Sequence, residues 1–266
     1  SIIELAAMDE PTKNDYHFAA RNSFWLFGVP IAIATAILGC IFVYYTKNYE
    51  SRYLNQQVQE ASQIISSPVS NAVENYSYAV ERMGQRWEVA GGTPEAQWSA
   101  DATNYLSNNK VFKTISVTTP DLVVKWIVPN SRRKYIGLDI KTIPGRTELF
   151  LQAAKNKRVM ISPILKFIDG SGGFLIIKPI YINGAVAGYI TAAVDVESLF
   201  KNLLGNGLGN DYNVAIYQGG TLVYAVGSDE QTNQYRVVRV IKVLNMQWKV
   251  VVSPTVAMIS KVDTEL

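Results

Sequence analysis

The chain has 266 residues, 48% hydrophobic and 18% charged, with a formal net charge of +3. That length holds one large or two small domains, and so weak and dispersed a positive charge makes no case for nucleic acid as a partner. A single cysteine, Cys40, excludes a disulfide framework and a cysteine-based zinc site, and a single histidine, His17, removes most metal and acid–base chemistry.

Residues 22–46 carry no charge and are bounded by Arg21 and Lys47. The run is long enough to cross a bilayer with some tilt, with Trp25 near one end and Tyr44 and Tyr45 at the other, where an aromatic belt belongs. A secretory signal fits less well, because its apolar core is shorter and a small-residue cleavage site follows it. Residues 1–21 read as a polar cytoplasmic tail. Lys13 and Arg21 lie before the span and Lys47 and Arg52 after it, so charge alone leaves the orientation open.

Residues 47–90 predict a long helix. Leu54, Val58, Ala61, Ile65, Pro68 and Ala72 follow a 4-3-4-3-4 spacing, the pattern of a coiled-coil seam. Two readings stay open: the seam joins a parallel homodimer through residues 47–87, or it packs on its own domain. Pro68 predicts a kink. Gly91-Gly92-Thr93-Pro94 ends this helix and opens another, with Thr93 as cap and Pro94 in the first helical position.

The period then changes. Strands are predicted over 111–119, 122–129 and 159–167, with a helix over 145–157 between the second and third. Residues 172–196 read GGFLIIKPIYINGAVAGYITAAVDV, two apolar runs divided by Asn183-Gly184. That pair accepts positive φ at both central positions of a type I′ turn and so marks a hairpin. A short helix over 196–204, a glycine-rich linker over 205–209 and strands over 212–217, 221–226, 235–243 and 247–253 complete the chain. Helices that precede meander-like hairpins argue an α+β fold. The domains expected are a tail (1–21), a membrane helix (22–46), a long signalling helix (47–90), a membrane-distal module (91–205) and a membrane-proximal module (206–266). Neither a GxGxxG nor a GK[ST] fingerprint occurs, and no catalytic, metal or cofactor site is expected.

Residues 137–204 carry Gly137-Leu138-Asp139, Arg146 leading a helix, Ile161-Ser162-Pro163, Pro179-Ile180-Tyr181, Gly188-Tyr189 and Asp195-Val196-Glu197-Ser198-Leu199. In this order they resemble the CHASE domain, the extracytoplasmic ligand sensor of receptor histidine kinases, nucleotide cyclases and diguanylate cyclases. The resemblance implies two PAS-like modules on the long helix, with a small-molecule ligand in the distal one. In the plant cytokinin receptors of this family an aspartate before the helix-leading arginine binds the adenine ring. Gly145 stands there in this sequence, which implies a different ligand.

The second hairpin strand is short of volume at Gly188, Thr191 and Ala192. Opposite Phe174, Ile176 and Ile177, these residues either floor an apolar pocket or admit the helix over 145–157. In the pocket reading Trp126 and Phe167 form walls, Gly145 borders the site, and Tyr135, Arg146, Ser162 and Thr191 supply polar contacts. Arg146 is expected to pair with Asp139 or Glu148, and Lys178 to run out to the sheet edge.

The function expected is a membrane-anchored extracytoplasmic sensor, not itself an enzyme, that signals through a dimeric helix to an output domain outside this sequence. The end, Pro254-Thr255-Val256-Ala257-Met258-Ile259, resembles the approach to a second membrane helix. The alternative is a membrane-anchored interaction or assembly module without a ligand.

Overall fold

The structure is a computed structural model that describes residues 28–205, 208–227 and 234–265. The expected tail, His17, Trp25 and the first residues of the uncharged run lie outside the described residues. The chain divides into two compact units, one ending at Tyr53 and one running from Leu54 to Glu265.

Helix α1 (Val29–Val89) contains Pro68 in its interior. In the first unit its described residues are mostly exposed and apolar, among them Ile31, Ile37, Leu38 and Phe42. An 18-residue window of this helix has a mean hydropathy of 1.9, which is long and apolar enough to cross a membrane.

In the second unit, α1 buries Val58, Ile65, Val69, Val73, Val80, Met83 and Trp87, one face of a 3.6-residue period. Of the expected seam, Leu54, Val58, Ala61 and Ile65 are buried within the chain itself and so are not free to meet a second copy, while Ala72 is half-buried and Pro68 is exposed. Helix α2 (Glu95–Asn108) begins one residue later than expected, with Pro94 at the cap position in place of Thr93.

The larger sheet is antiparallel, with strands β1 (Phe112–Thr118), β2 (Val124–Val128), β3 (Met160–Ile161), β4 (Leu165–Lys166), β5 (Gly172–Ile182) and β6 (Ala185–Asp195). Its order is β2-β1-β6-β5-β3, and β4 also pairs with β5. The hairpin turn has positive φ at both Asn183 and Gly184, as the sequence predicts. The single strand expected over 159–167 is instead β3 and β4, because Ser162-Pro163 interrupts it: a proline has no N–H for the ladder. Helix α3 (Arg146–Asn156) covers part of one face. The other face, with Phe174, Ile176, Ile190, Ala192 and Val194, joins α1 in a common core.

After α4 (Val196–Leu204), capped by Asp195 onto the Ser198 amide, the single turn α5 (Leu208–Asp211) occupies part of the expected linker. Strands β7 (Tyr212–Gln218), β8 (Thr221–Val226), β9 (Val237–Val243) and β10 (Met246–Pro254) make the second sheet, in the order β8-β7-β10-β9. Helix α6 (Val256–Glu265) ends the described chain. The two sheets share one core: Phe174 meets Trp248 edge to face at 5.8 Å. The Asn245 side chain takes both the N–H and the C=O of Ile161, at 2.7 and 2.9 Å, which pairs polar groups that an edge strand otherwise leaves open.

Candidate functional site

Strand alternation sends odd and even residues of the hairpin to opposite faces. Toward α1 go Phe174, Ile176 and Lys178; toward α3 go Leu175 and Ile177, with Tyr189, Thr191 and Ala193 across from them. On β1, Thr114, Ser116 and Thr118 share this second face, while Ile115 and Val117 join the α1 core. A cavity of about 140 Å³ stands on it. Its floor is Thr114, Ser116, Thr118, Leu175, Thr191 and Ala193; its roof is Ile140, Ile143, Arg146 and Phe150; Phe167, Ile168, Asp169, Arg132 and Tyr135 close the side. A bulge opposite Val117/Thr118 skips Lys125, so Val124 and Ile127 both line the cavity. Trp126 faces the other way, against Trp87 and Trp98 at 5.3 and 5.8 Å.

Of the residues singled out in the sequence, Tyr135, Arg146, Phe167 and Thr191 therefore line one cavity, and the others do not. Trp126 and Phe174 belong to the α1 core. Ile177 is on the cavity's face but lies in the cluster that α3 covers, with Phe150 and Tyr189. Gly145 precedes Arg146 at the helix cap. Ser162 is at the β3–β4 break, where its hydroxyl accepts from the Leu175 amide at 2.9 Å and donates to the Pro163 carbonyl at 2.7 Å. Gly188 admits backbone: its φ is 147°, and a Cβ there would stand 2.4 Å from the Thr118 carbonyl oxygen. Ala192 makes room for the α1 core. The small side chains of β6 thus serve three neighbours, of which the cavity is one.

The polar groups of the cavity are unequal. Arg146 is only 7% exposed, and burial pushes its pKa down. Its described hydrogen bond is to the Lys166 carbonyl at 3.2 Å, and no described carboxylate lies within ion-pair range of it. The expected partners are elsewhere: Asp139 caps the Lys141 amide and neighbours the Lys141 ammonium, and Glu148 is exposed. The hydroxyls of Thr118 and Thr191 are buried and find no hydrogen-bond partner among the described residues.

At the side, the Asp169 carboxylate accepts from the Ser171 hydroxyl at 2.6 Å and the Ser171 amide at 3.2 Å. It also pairs with Arg132 at 2.9 Å and Lys113 at 3.2 Å. The Ser171 hydroxyl first, then its amide and the two cations, hold this carboxyl far below its ordinary range. Sequence reasoning missed Asp169 and Lys113; Arg132 belongs to a local basic cluster, Arg132-Arg133-Lys134, which reads in the sequence as a solvated loop with an anion site as the alternative. Asp169 and Arg132 lie 37 residues apart, and no local spacing signals such a pair.

One residue on the opposite face departs from its expectation. Lys178 does not reach the sheet edge; its side chain is 7% exposed and pairs with Glu88 of α1 at 3.2 Å. Gly84 leaves room for its stem, since a Cβ there would stand 2.6 Å from Lys178 Cγ.

Two antiparallel sheets along a long N-terminal helix make a fold like that of PAS-like sensor domains. The chain belongs to the CHASE domain family: the family model matches residues 93–233, more than half of its length, and CHASE domains are extracellular sensor domains. Solved structures share the fold. The sensory domain of the Campylobacter jejuni chemoreceptor Tlp3 with isoleucine bound superposes at a TM-score of 0.58 and 14% identity, over 81% of this chain and 98% of that one. The ligand-binding domain of the Pseudomonas aeruginosa PAO1 amino acid chemoreceptor PctB in complex with L-Arg gives 0.57 and 14%, over 80% and 94%. An extracellular ligand binding receptor from Desulfohalobium retbaense gives 0.54 and 14% over 75% of this chain, which spans only 39% of that receptor chain. No curated protein matches the sequence.

Proposed function

We propose that this chain is the small-molecule-sensing region of a transmembrane receptor, with its ligand site in the cavity beneath α3. The observation that carries the reading is unused hydrogen-bonding capacity in an apolar setting: a buried guanidinium and two buried hydroxyls face the same space. Each such group costs about 1–3 kcal/mol when left unpaired, and a ligand that supplies partners recovers that cost. The isoleucine and L-Arg held by the fold neighbours support a small polar metabolite as the kind of ligand.

In this reading residues 22–46 cross the membrane from a cytoplasmic tail, and residues 91–205 and 206–266 are the distal and proximal modules outside it. The output domain, of histidine kinase or cyclase type, is a separate part of the receptor. A chain of contacts leads from the cavity to α1. Arg146 heads α3; near its other end the Ala154 carbonyl accepts from the Tyr181 hydroxyl at 2.6 Å. The Tyr181 amide donates to Glu88 of α1 at 3.0 Å. A ligand that favours one placement of α3 shifts the population of α1 arrangements through these bonds. A parallel homodimer through residues 47–87 uses the outward stripe of Ile64, Asn71 and Tyr78, which repeats every seven residues and is exposed.

The test is thermal unfolding of the full chain in nanodiscs against nucleobases, adenine derivatives, amino acids and small acids. A ligand at a hundredfold excess over its dissociation constant adds about 2.7 kcal/mol to stability. Thr191→Trp, whose indole fills the cavity, abolishes the shift while the variant keeps its own cooperative transition. A shift that survives the substitution contradicts the assignment.

A further inference from the structure

We infer that the ligand is a small carboxylic acid with an apolar tail and no α-ammonium group, an inference that rests on the cavity being the ligand site. A buried guanidinium is ordinarily paired, and among the described residues Arg146 has one backbone carbonyl for its five N–H groups. Its planar fork matches a carboxylate bidentately. Thr118 and Thr191 sit on adjacent strands of the same floor, where Ser116 pairs with Thr191 and Thr118 with Tyr189. Their hydroxyls are two further donors for an anion.

The charge around the cavity argues against an ammonium. Lys113, Arg132 and Arg146 are three cations to the single carboxylate of Asp169, and that carboxylate already takes Lys113, Arg132 and both donors of Ser171. Asp195, the next carboxylate, caps the Ser198 amide and neighbours Lys113 at 3.7 Å. An ammonium entering the cavity meets like charge and, among the described residues, no free acceptor anion. The remaining wall, with Val124, Ile127, Ile143, Phe150 and Leu175, is apolar and suits a hydrocarbon tail. Isoleucine and L-Arg, the ligands of the fold neighbours, both carry the group this lining disfavours.

The experiment compares matched probes by titration calorimetry on the full chain in nanodiscs at pH 7, with empty nanodiscs as the blank. One series is 4-methylpentanoate, 4-methylpentanamide and L-leucine; the other is 3-phenylpropanoate, 3-phenylpropanamide and L-phenylalanine. In at least one series the acid binds about ten- to a hundredfold tighter than its amide and its amino acid, the range of a charge-assisted contact. Arg146→Gln brings acid and amide to within about threefold of each other, its folding checked by its own thermal transition. Thr191→Val weakens the acid about three- to tenfold. The wild-type comparison stands even where a variant fails to fold. Amides or amino acids that bind as tightly as the acids, and lose binding in Thr191→Trp, overturn the acid assignment and leave the cavity as the site. Acid binding indifferent to both Arg146→Gln and Thr191→Trp overturns both. No binding by any of the six overturns the acid assignment.

Discussion

Glu88→Gln removes one charge from the contact that ties the cavity-bearing sheet to the long helix. Glu88 Oε1 accepts from the Lys178 ammonium at 3.2 Å and from the Tyr181 amide at 3.0 Å. Glutamine keeps a carbonyl for the amide, so the loss measured is the loss of charge. The Lys178 side chain is 7% exposed and that of Glu88 24%. Breaking a buried pair from one side costs about 3–5 kcal/mol; the partial exposure of Glu88 lets water reach the orphaned ammonium and brings the expectation to about 2–3 kcal/mol. Replacing both partners, Glu88→Gln with Lys178→Met, removes the buried charge as well as the pair. The double variant therefore returns to within about 1 kcal/mol of the parent. Urea unfolding of the full chain in nanodiscs, followed by tryptophan fluorescence, reads all four proteins, since Trp87, Trp98 and Trp126 cluster in the same core. Glu88→Gln within about 0.5 kcal/mol of the parent, or single effects that simply add, refutes the reasoning.

Two further predictions concern the cavity's frame. Gly188→Ala forces a side chain onto φ 147° and against the Thr118 carbonyl, so it destabilises by more than about 1 kcal/mol, read in the same urea assay. Asp169 has a depressed folded pKa; its contribution is fully present above the ordinary carboxylate value and is lost as pH falls through that value toward the folded one. Acid unfolding of Asp169→Asn is accordingly shallower below about pH 4 than that of the parent, and equal slopes contradict the Lys113–Asp169–Arg132 arrangement.

Much of this was legible along the chain because it is locally encoded. Asn183-Gly184 sets the hairpin, Gly145 and Arg146 open a helix, and the short motifs of residues 137–204 fall within the matched family span. The faces were harder. Both faces of β5 and β6 are apolar, so alternation alone does not say which one meets α1, and Phe174 and Trp126 went to the wrong side of the sheet in the pocket reading. For Trp126 the added cause is the bulge at Lys125, which reverses the parity of β2. The seam of α1 shows a third limit: a stripe of Leu54, Val58, Ala61 and Ile65 has the same spacing whether it meets a second copy or its own sheets. Lys178 shows a fourth. Its partner Glu88 is 90 residues away, and only the folded sheet brings them together.

The account's central claim is that a small molecule occupies the cavity under α3. Methyl labelling of Ile, Leu and Thr in the full chain, with the compound that most raises the unfolding midpoint, locates it through intermolecular nuclear Overhauser effects. The account predicts contacts to Ile143, Leu175 and Thr191, and none to Ile115 or Ile176 on the α1 face. Contacts confined to Ile216 or Ile241 of the four-stranded sheet, or to Ile64 of α1, would contradict it.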